Sequence, residues 1–178
     1  MNALLNLYNK PLSAIEGKLE PWLLPTLARF TFVAVLFMYF WGSATLKLGD
    51  SIFSLSFGAY GQIFPVAFDA AGYDVGNLTL FHKVVAYAGT YAEFILPVLL
   101  AIGLFTRLAA LGMIGFVFVQ SYVDIFGHMA DESTIGTWFD RIADSHIMDQ
   151  RLFWVSMLLL LFIKGGGPLS ADKVIGLK

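Results

Sequence analysis

Residues 81–124, FHKVVAYAGTYAEFILPVLLAIGLFTRLAALGMIGFVFVQSYVD, hold two long apolar runs joined by a turn at Thr106-Arg107, with one carboxylate, Glu93, deep inside the first run. Each run is long enough to cross the roughly 30 Å hydrocarbon core of a bilayer as an α-helix. The few residues between them permit an antiparallel hairpin and little else. An acid in such a run is costly in lipid unless it faces protein, so Glu93 requires something to face. His82, Ala86, Gly89, Glu93 and Pro97 recur at steps of three or four. That spacing gives the first helix a small or polar face, which is expected to turn Glu93 into a helix bundle.

The rest of the chain supplies the bundle. A sequence that is 58% hydrophobic and 13% charged lies outside the range of soluble domains. We expect an all-α membrane protein, a single integral domain over residues 1–178 with four transmembrane helices at about 22–46, 82–103, 108–126 and 149–164. Trp22 and Trp41 stand near the ends of the first span as interfacial anchors. Residues 1–20 set Leu4, Leu5, Leu7, Tyr8, Leu12, Ile15 and Leu19 among charges, with Pro11 interrupting, and read as one or two short helices on the membrane surface. Only Lys10 is basic in residues 1–14 and no small-residue cleavage site follows, so the first span is expected to be retained.

Two connections are long. Residues 47–81 are too apolar for a solvated loop. Ser51 to Phe57 alternate at period two, as a short extended piece would, whereas Ile63, Phe64, Ala67, Phe68 and Ala71 follow helical spacing. Residues 127–148 are polar and acidic, with a short helix expected at about 135–143 and Ser133 or Thr134 as its cap. Lys10, Lys18, Arg107, Lys164, Lys173 and Lys178 gather on one side of the membrane, while most acids fall in the two connections. By the positive-inside rule both termini are then cytoplasmic and both connections lie outside.

Several chemistries are excluded. With no cysteine the chain has no disulfide or thiolate site. A net charge of -2 gives no reason to expect nucleic acid. No phosphate loop, dinucleotide fingerprint, haem-attachment motif or hydrolase triad is present, which argues against an autonomous enzyme.

Candidate site residues follow from the topology. Arg29 lies about two turns inside the first span; it either snorkels to the near interface or pairs with Glu93. Three roles fit Glu93: a structural pair with Arg29 that sets helix register, a proton-handling acid beside a bound ligand, or a protonated carboxyl bonded to backbone or to Tyr91. Gln120, Asp124 and His128 make the second half of the third span polar on one side. With His82, His146, Asp149 and Arg151 they are expected to converge on the outer mouth of the bundle. There an ion pair of Arg151 with Asp124 or Asp149, a headgroup or quinone-ring site, and a metal site drawn from His82, Asp124, His128 and His146 are the alternatives.

The chain also resembles the DoxX family of small four-helix membrane proteins. The resemblance rests on Leu27-Ala28-Arg29-Phe30, Phe40-Trp41-Gly42 with Lys47-Leu48 after it, Glu93, the turn Gly103-Leu104-Phe105-Thr106-Arg107-Leu108-Ala109-Ala110, and Gly165-Gly166-Gly167-Pro168-Leu169-Ser170. It runs from about Arg29 to the tail, and the Gly-Leu-Phe-Thr-Arg turn is its most specific part. It implies a multi-pass protein of the bacterial inner membrane linked to respiratory or stress-related redox chemistry, since the family takes its name from a subunit of an archaeal thiosulfate to quinone oxidoreductase. The expectation is a membrane subunit that binds a quinone or other apolar ligand and works with a redox partner protein or as a homo-oligomer. Any enzymatic activity would be that of a quinone-linked oxidoreductase subunit. A non-catalytic scaffold that docks a partner, or a small transporter, are the alternatives.

Overall fold

The structure, a computed structural model, describes residues 2–177, with side chains described from Leu7 onward. Lys178 and the side chains of Leu4 and Leu5 therefore lie outside what the structure describes. Among the described residues four helices are long and apolar enough to cross a membrane: Leu7–Lys47, Leu80–Ile102, Thr106–Gly127 and His146–Lys164.

Span one is longer than its apolar run. Helix α1 (Asn2–Phe32) passes through Pro11, Pro21 and Pro25 without stopping, continues through a wider π-type turn at Val33–Phe37, and ends as α2 (Met38–Lys47). The separate surface helices expected before residue 20 are one piece with the span. Each proline removes one intrahelical bond, but none ends the rod, which at about 1.5 Å per residue runs well past the hydrocarbon. Ala28, Phe32, Leu36, Phe40 and Ala44 are all buried, at strict four-residue steps. On an α-helix such steps drift by about 40° each. The π turn takes back part of that drift and keeps Phe40, Ala44 and finally Lys47 on one inward face.

Span two is α5 (Leu80–Ile102). Thr79 caps its start by accepting from the His82 amide, and Gly103, at φ 70°, ends it in the left-handed region that glycine tolerates. Span three is α6 (Thr106–Tyr122) extended by a π turn at Val123–Gly127. Span four begins with a π turn at His146–Gln150 and continues as α8 (Arg151–Lys164), three residues longer at its start than the expected 149–164. The main core joins Phe32, Leu36 and Phe40 to Leu100, Met113, Val117, Trp154, Leu158 and Leu161, one apolar stripe from each span.

The long connections lie on one face of the bundle, the loop face. In residues 48–79 the expected strand is reduced to a single bridge of Leu48 with Leu55. The expected helix is split into α3 (Phe57–Ile63) and α4 (Pro65–Ala70), because Pro65 disfavours helical backbone at Phe64. Tyr60, Phe68, Leu78 and Ala86 bury one another there, which is why this connection is apolar. In the second connection the only helical turn is α7 (Glu132–Ile135), capped by Asp131. Neither the expected helix at 135–143 nor a cap by Ser133 or Thr134 forms, since the Asp131 carboxylate takes the Thr134 amide and both neighbouring hydroxyls.

The opposite, tail face is closed by the chain's last residues, including α9 (Ala171–Val174). Arg29 donates from Nε to the Leu100 carbonyl at 3.1 Å and from its terminal nitrogens to Ala101 at 2.7 Å, Gly166 at 3.1 Å and Leu169 at 2.9 Å. The Asp172 carboxylate accepts from the Phe105 and Thr106 amides at 2.7 and 2.9 Å. A cation thus satisfies the last carbonyls of α5 and an anion the first amides of α6, each with the favourable sign for that helix end. The segments Leu-Ala-Arg-Phe, Gly-Leu-Phe-Thr-Arg and Gly-Gly-Gly-Pro-Leu-Ser, distant in sequence, meet in this one knot.

Candidate functional site

Glu93 is buried where the small face of α5 directs it, and its partner is Lys47. The Lys47 ammonium donates to both carboxylate oxygens, at 3.0 and 2.9 Å, and to Ser43 Oγ at 2.6 Å. Lys47 and Glu93 side chains are each 6% exposed, so two opposite charges are held together out of solvent. The pairing of Arg29 with Glu93 does not occur. Arg29 is anchored to carbonyls of the tail-face knot, while Lys47, in the last turn of α2, sends its long side chain inward. Its ammonium also suits the C-terminal end of that helix.

The expected connection of residues 47–81 therefore loses its first residue: Lys47 ends α2 and turns into the bundle. A signal for it existed in the sequence. Lys47 directly follows the last apolar residues of span one on the side where acids dominate, and it stands three residues after Ala44, one helical turn beyond the last of the inward row. Pro97 adds a second local feature: lacking an N–H, it gives no hydrogen bond to the Glu93 carbonyl one turn earlier.

The pair lines a crevice of about 440 Å³. Ala88, Gly89, Ala92 and Leu96 of α5 face Gly112, Gly115, Phe116 and Val119 of α6, while Gln62, Ile63 and His128 close the loop-face end. A Cβ added to Gly115 would meet nothing within 4 Å, whereas one at Gly112 would come within 3.1 Å of Leu96, so spans two and three touch at Gly112 and leave space at Gly115. Ala88, Gly112, Gly115 and Val119 are exposed, and the crevice opens sideways, in the direction lipid would occupy.

Three further polar residues named from sequence border the same space: Gln120, Asp124 and His128. Gln120 donates to Tyr39 Oη at 2.8 Å, while its own carbonyl oxygen is buried with no donor among the described residues. Asp124 is paired with buried Arg151, which also donates to Ser121 Oγ at 2.8 Å. Asp149 instead accepts from the Ser145 amide and hydroxyl. His128 meets the Gln62 carbonyl at 2.9 Å through Nε2.

The other candidates lie elsewhere. Tyr91 donates to the Ile52 carbonyl and lines a separate apolar groove between α2 and α5. His82 bonds Thr79 through Nδ1 at 2.8 Å, and His146 faces Gln150 at 3.2 Å. Among the described residues no three of His, Asp and Glu come together as a metal site. Asp124 and His128 border the crevice, whereas His82 packs against Phe64 and His146 against Tyr39 and Trp154.

Four membrane-crossing helices, packed on one core and enclosing a buried acid and base, define a multi-pass membrane bundle. The DoxX family model matches residues 24–123, more than half of the chain, and the protein belongs to that family. No curated protein matches the chain, and no solved structure does.

Proposed function

We propose that this DoxX-family chain is a redox-associated subunit of a bacterial inner membrane that binds a quinone or similar apolar ligand in the crevice between spans two and three. The observation that carries this reading is the buried Lys47–Glu93 pair on the wall of an apolar cavity open toward lipid. A quinone head needs hydrogen-bond donors at its carbonyls and an acceptor once it is reduced to the hydroquinone. The three N–H groups of Lys47 serve Glu93 and Ser43, so one is released to a quinone carbonyl when Glu93 takes up a proton. The buried carbonyl of Gln120, which has no donor among the described residues, becomes the acceptor once its side chain turns toward the crevice. Reduction of a quinone takes up two electrons and two protons. Glu93 beside Lys47 is the group suited to exchange a proton, whereas the electrons come from a partner, since the chain has no cysteine. With both termini cytoplasmic, as the excess of Lys and Arg on the tail face supports, the crevice lies nearer the outer leaflet.

A second reading is a scaffold in which the pair only sets helix register, and it is favoured by how completely Lys47 occupies both oxygens of Glu93. Quinone extracted from protein purified in mild detergent distinguishes the two. The ligand reading expects near-stoichiometric quinone in the wild type and its loss in Lys47→Met/Glu93→Leu at unchanged fold. Wild-type protein free of quinone, and unable to take up added quinone, leaves the scaffold.

A further inference from the structure

The tail face carries a second pocket, of about 500 Å³, at the opposite end of the molecule from the crevice. Its walls are Pro21 and Trp22 of α1, the glycine run after α8, the start of α6 and the tail. Arg107, Lys164 and Lys173 border it. Two acids are nearby. Glu20 pairs with Lys164 at the surface, and both oxygens of Asp172 are engaged by the Phe105 and Thr106 amides. Among the described residues the side chains of Arg107 and Lys173 have no acceptor, and the amides of Gly166 and Gly167 donate to none. Thr106 Oγ1, fully buried against Gly166, also has no partner.

The position of this cluster identifies its occupant. Thr106 and Lys164 end spans three and four, and Trp22 stands where the apolar run of the first helix begins, the depth at which lipid phosphates lie. Tryptophan prefers that depth, and basic pockets between helices at that level suit anionic headgroups. We infer that this pocket binds the phosphate of an anionic phospholipid, with Arg107 and Lys173 as its charge partners, the glycine amides as neutral donors and Trp22 against the upper acyl chain. This does not depend on the ligand of the crevice.

The test uses the full chain in detergent and native mass spectrometry with dioleoylphosphatidylglycerol, dioleoylphosphatidylcholine or inorganic phosphate. Wild-type protein should retain phosphatidylglycerol in preference to phosphatidylcholine. Arg107→Gln/Lys173→Gln should lower that retention by about ten-fold or more, with phosphatidylcholine retention and melting in phosphatidylcholine unchanged. Equal retention of the two lipids by the wild type, or undiminished phosphatidylglycerol in the double variant, overturns the inference. So does displacement of phosphatidylglycerol by inorganic phosphate at equal concentration, which would assign the pocket to a free anion.

Discussion

Lys47 Nζ sits 3.0 and 2.9 Å from the two carboxylate oxygens of Glu93, joining the end of span one to the middle of span two. The cost of withdrawing both charges from water is offset only while both are present.

Removing one partner is therefore expected to be worse than removing both. Lys47→Met should destabilise the protein by about 3–5 kcal/mol because it strands a buried carboxylate. The double variant Lys47→Met/Glu93→Leu should return close to wild-type stability. Denaturant unfolding in micelles measures the cycle, and additive losses would show that the two side chains do not interact.

Arg29 should behave as a structural residue. Its planar fork serves four carbonyls on two segments, the end of α5 and the stretch after α8, an arrangement a lysine cannot reproduce. Arg29→Lys is expected to cost roughly 2–4 kcal/mol through lost charged hydrogen bonds, with bound quinone per folded molecule unchanged. Quinone loss without loss of stability would return Arg29 to the ligand site.

Two glycines should respond in opposite ways. A Cβ at Gly166 would stand 2.6 Å from both Ser170 Cβ and Thr106 Oγ1, so Gly166→Ala should destabilise by about 1–3 kcal/mol through overpacking. At Gly115 the space is empty, and Gly115→Leu should keep the melting temperature while lowering quinone content by filling the crevice. A folding defect in Gly115→Leu would mean that the helices close on that space.

Asp131 gives a pH prediction outside the membrane. Hydrogen bonds from the Ser133 hydroxyl, the Thr134 amide and the Thr134 hydroxyl hold its carboxyl well below the usual carboxylate range. A depressed carboxylate contributes stability that is complete above the unfolded value, near about 4, and is lost as pH falls through the folded value. Hydrogen exchange at Thr134 and Ile135, corrected for intrinsic rates, should stay protected from neutral pH to below the unfolded value and open only in stronger acid. Asp131→Ala should remove the protection at neutral pH, and protection that persists there would show that the cap does not hold the turn.

Much of the architecture was legible in the chain itself. Apolar runs long enough for a bilayer determine four crossings, and the small-residue face of span two determines that Glu93 points inward, because both depend on local periodicity. The Gly-Leu-Phe-Thr-Arg and Gly-Gly-Gly-Pro segments were legible as motifs, since glycine is required where backbones approach this closely. Which charge meets which acid was decided by tertiary structure alone. By depth Arg29 was the expected partner of Glu93, while Lys47 was counted with the connection that follows span one. The choice fell to helix rotation and to the tail, which folds back over 130 residues to supply carbonyls for Arg29. The crevice is tertiary for the same reason. Gly112 and Gly115 suggest close packing in one dimension, and only the tertiary structure shows that Gly112 is met by Leu96 whereas Gly115 opens onto the space that Lys47 and Glu93 line.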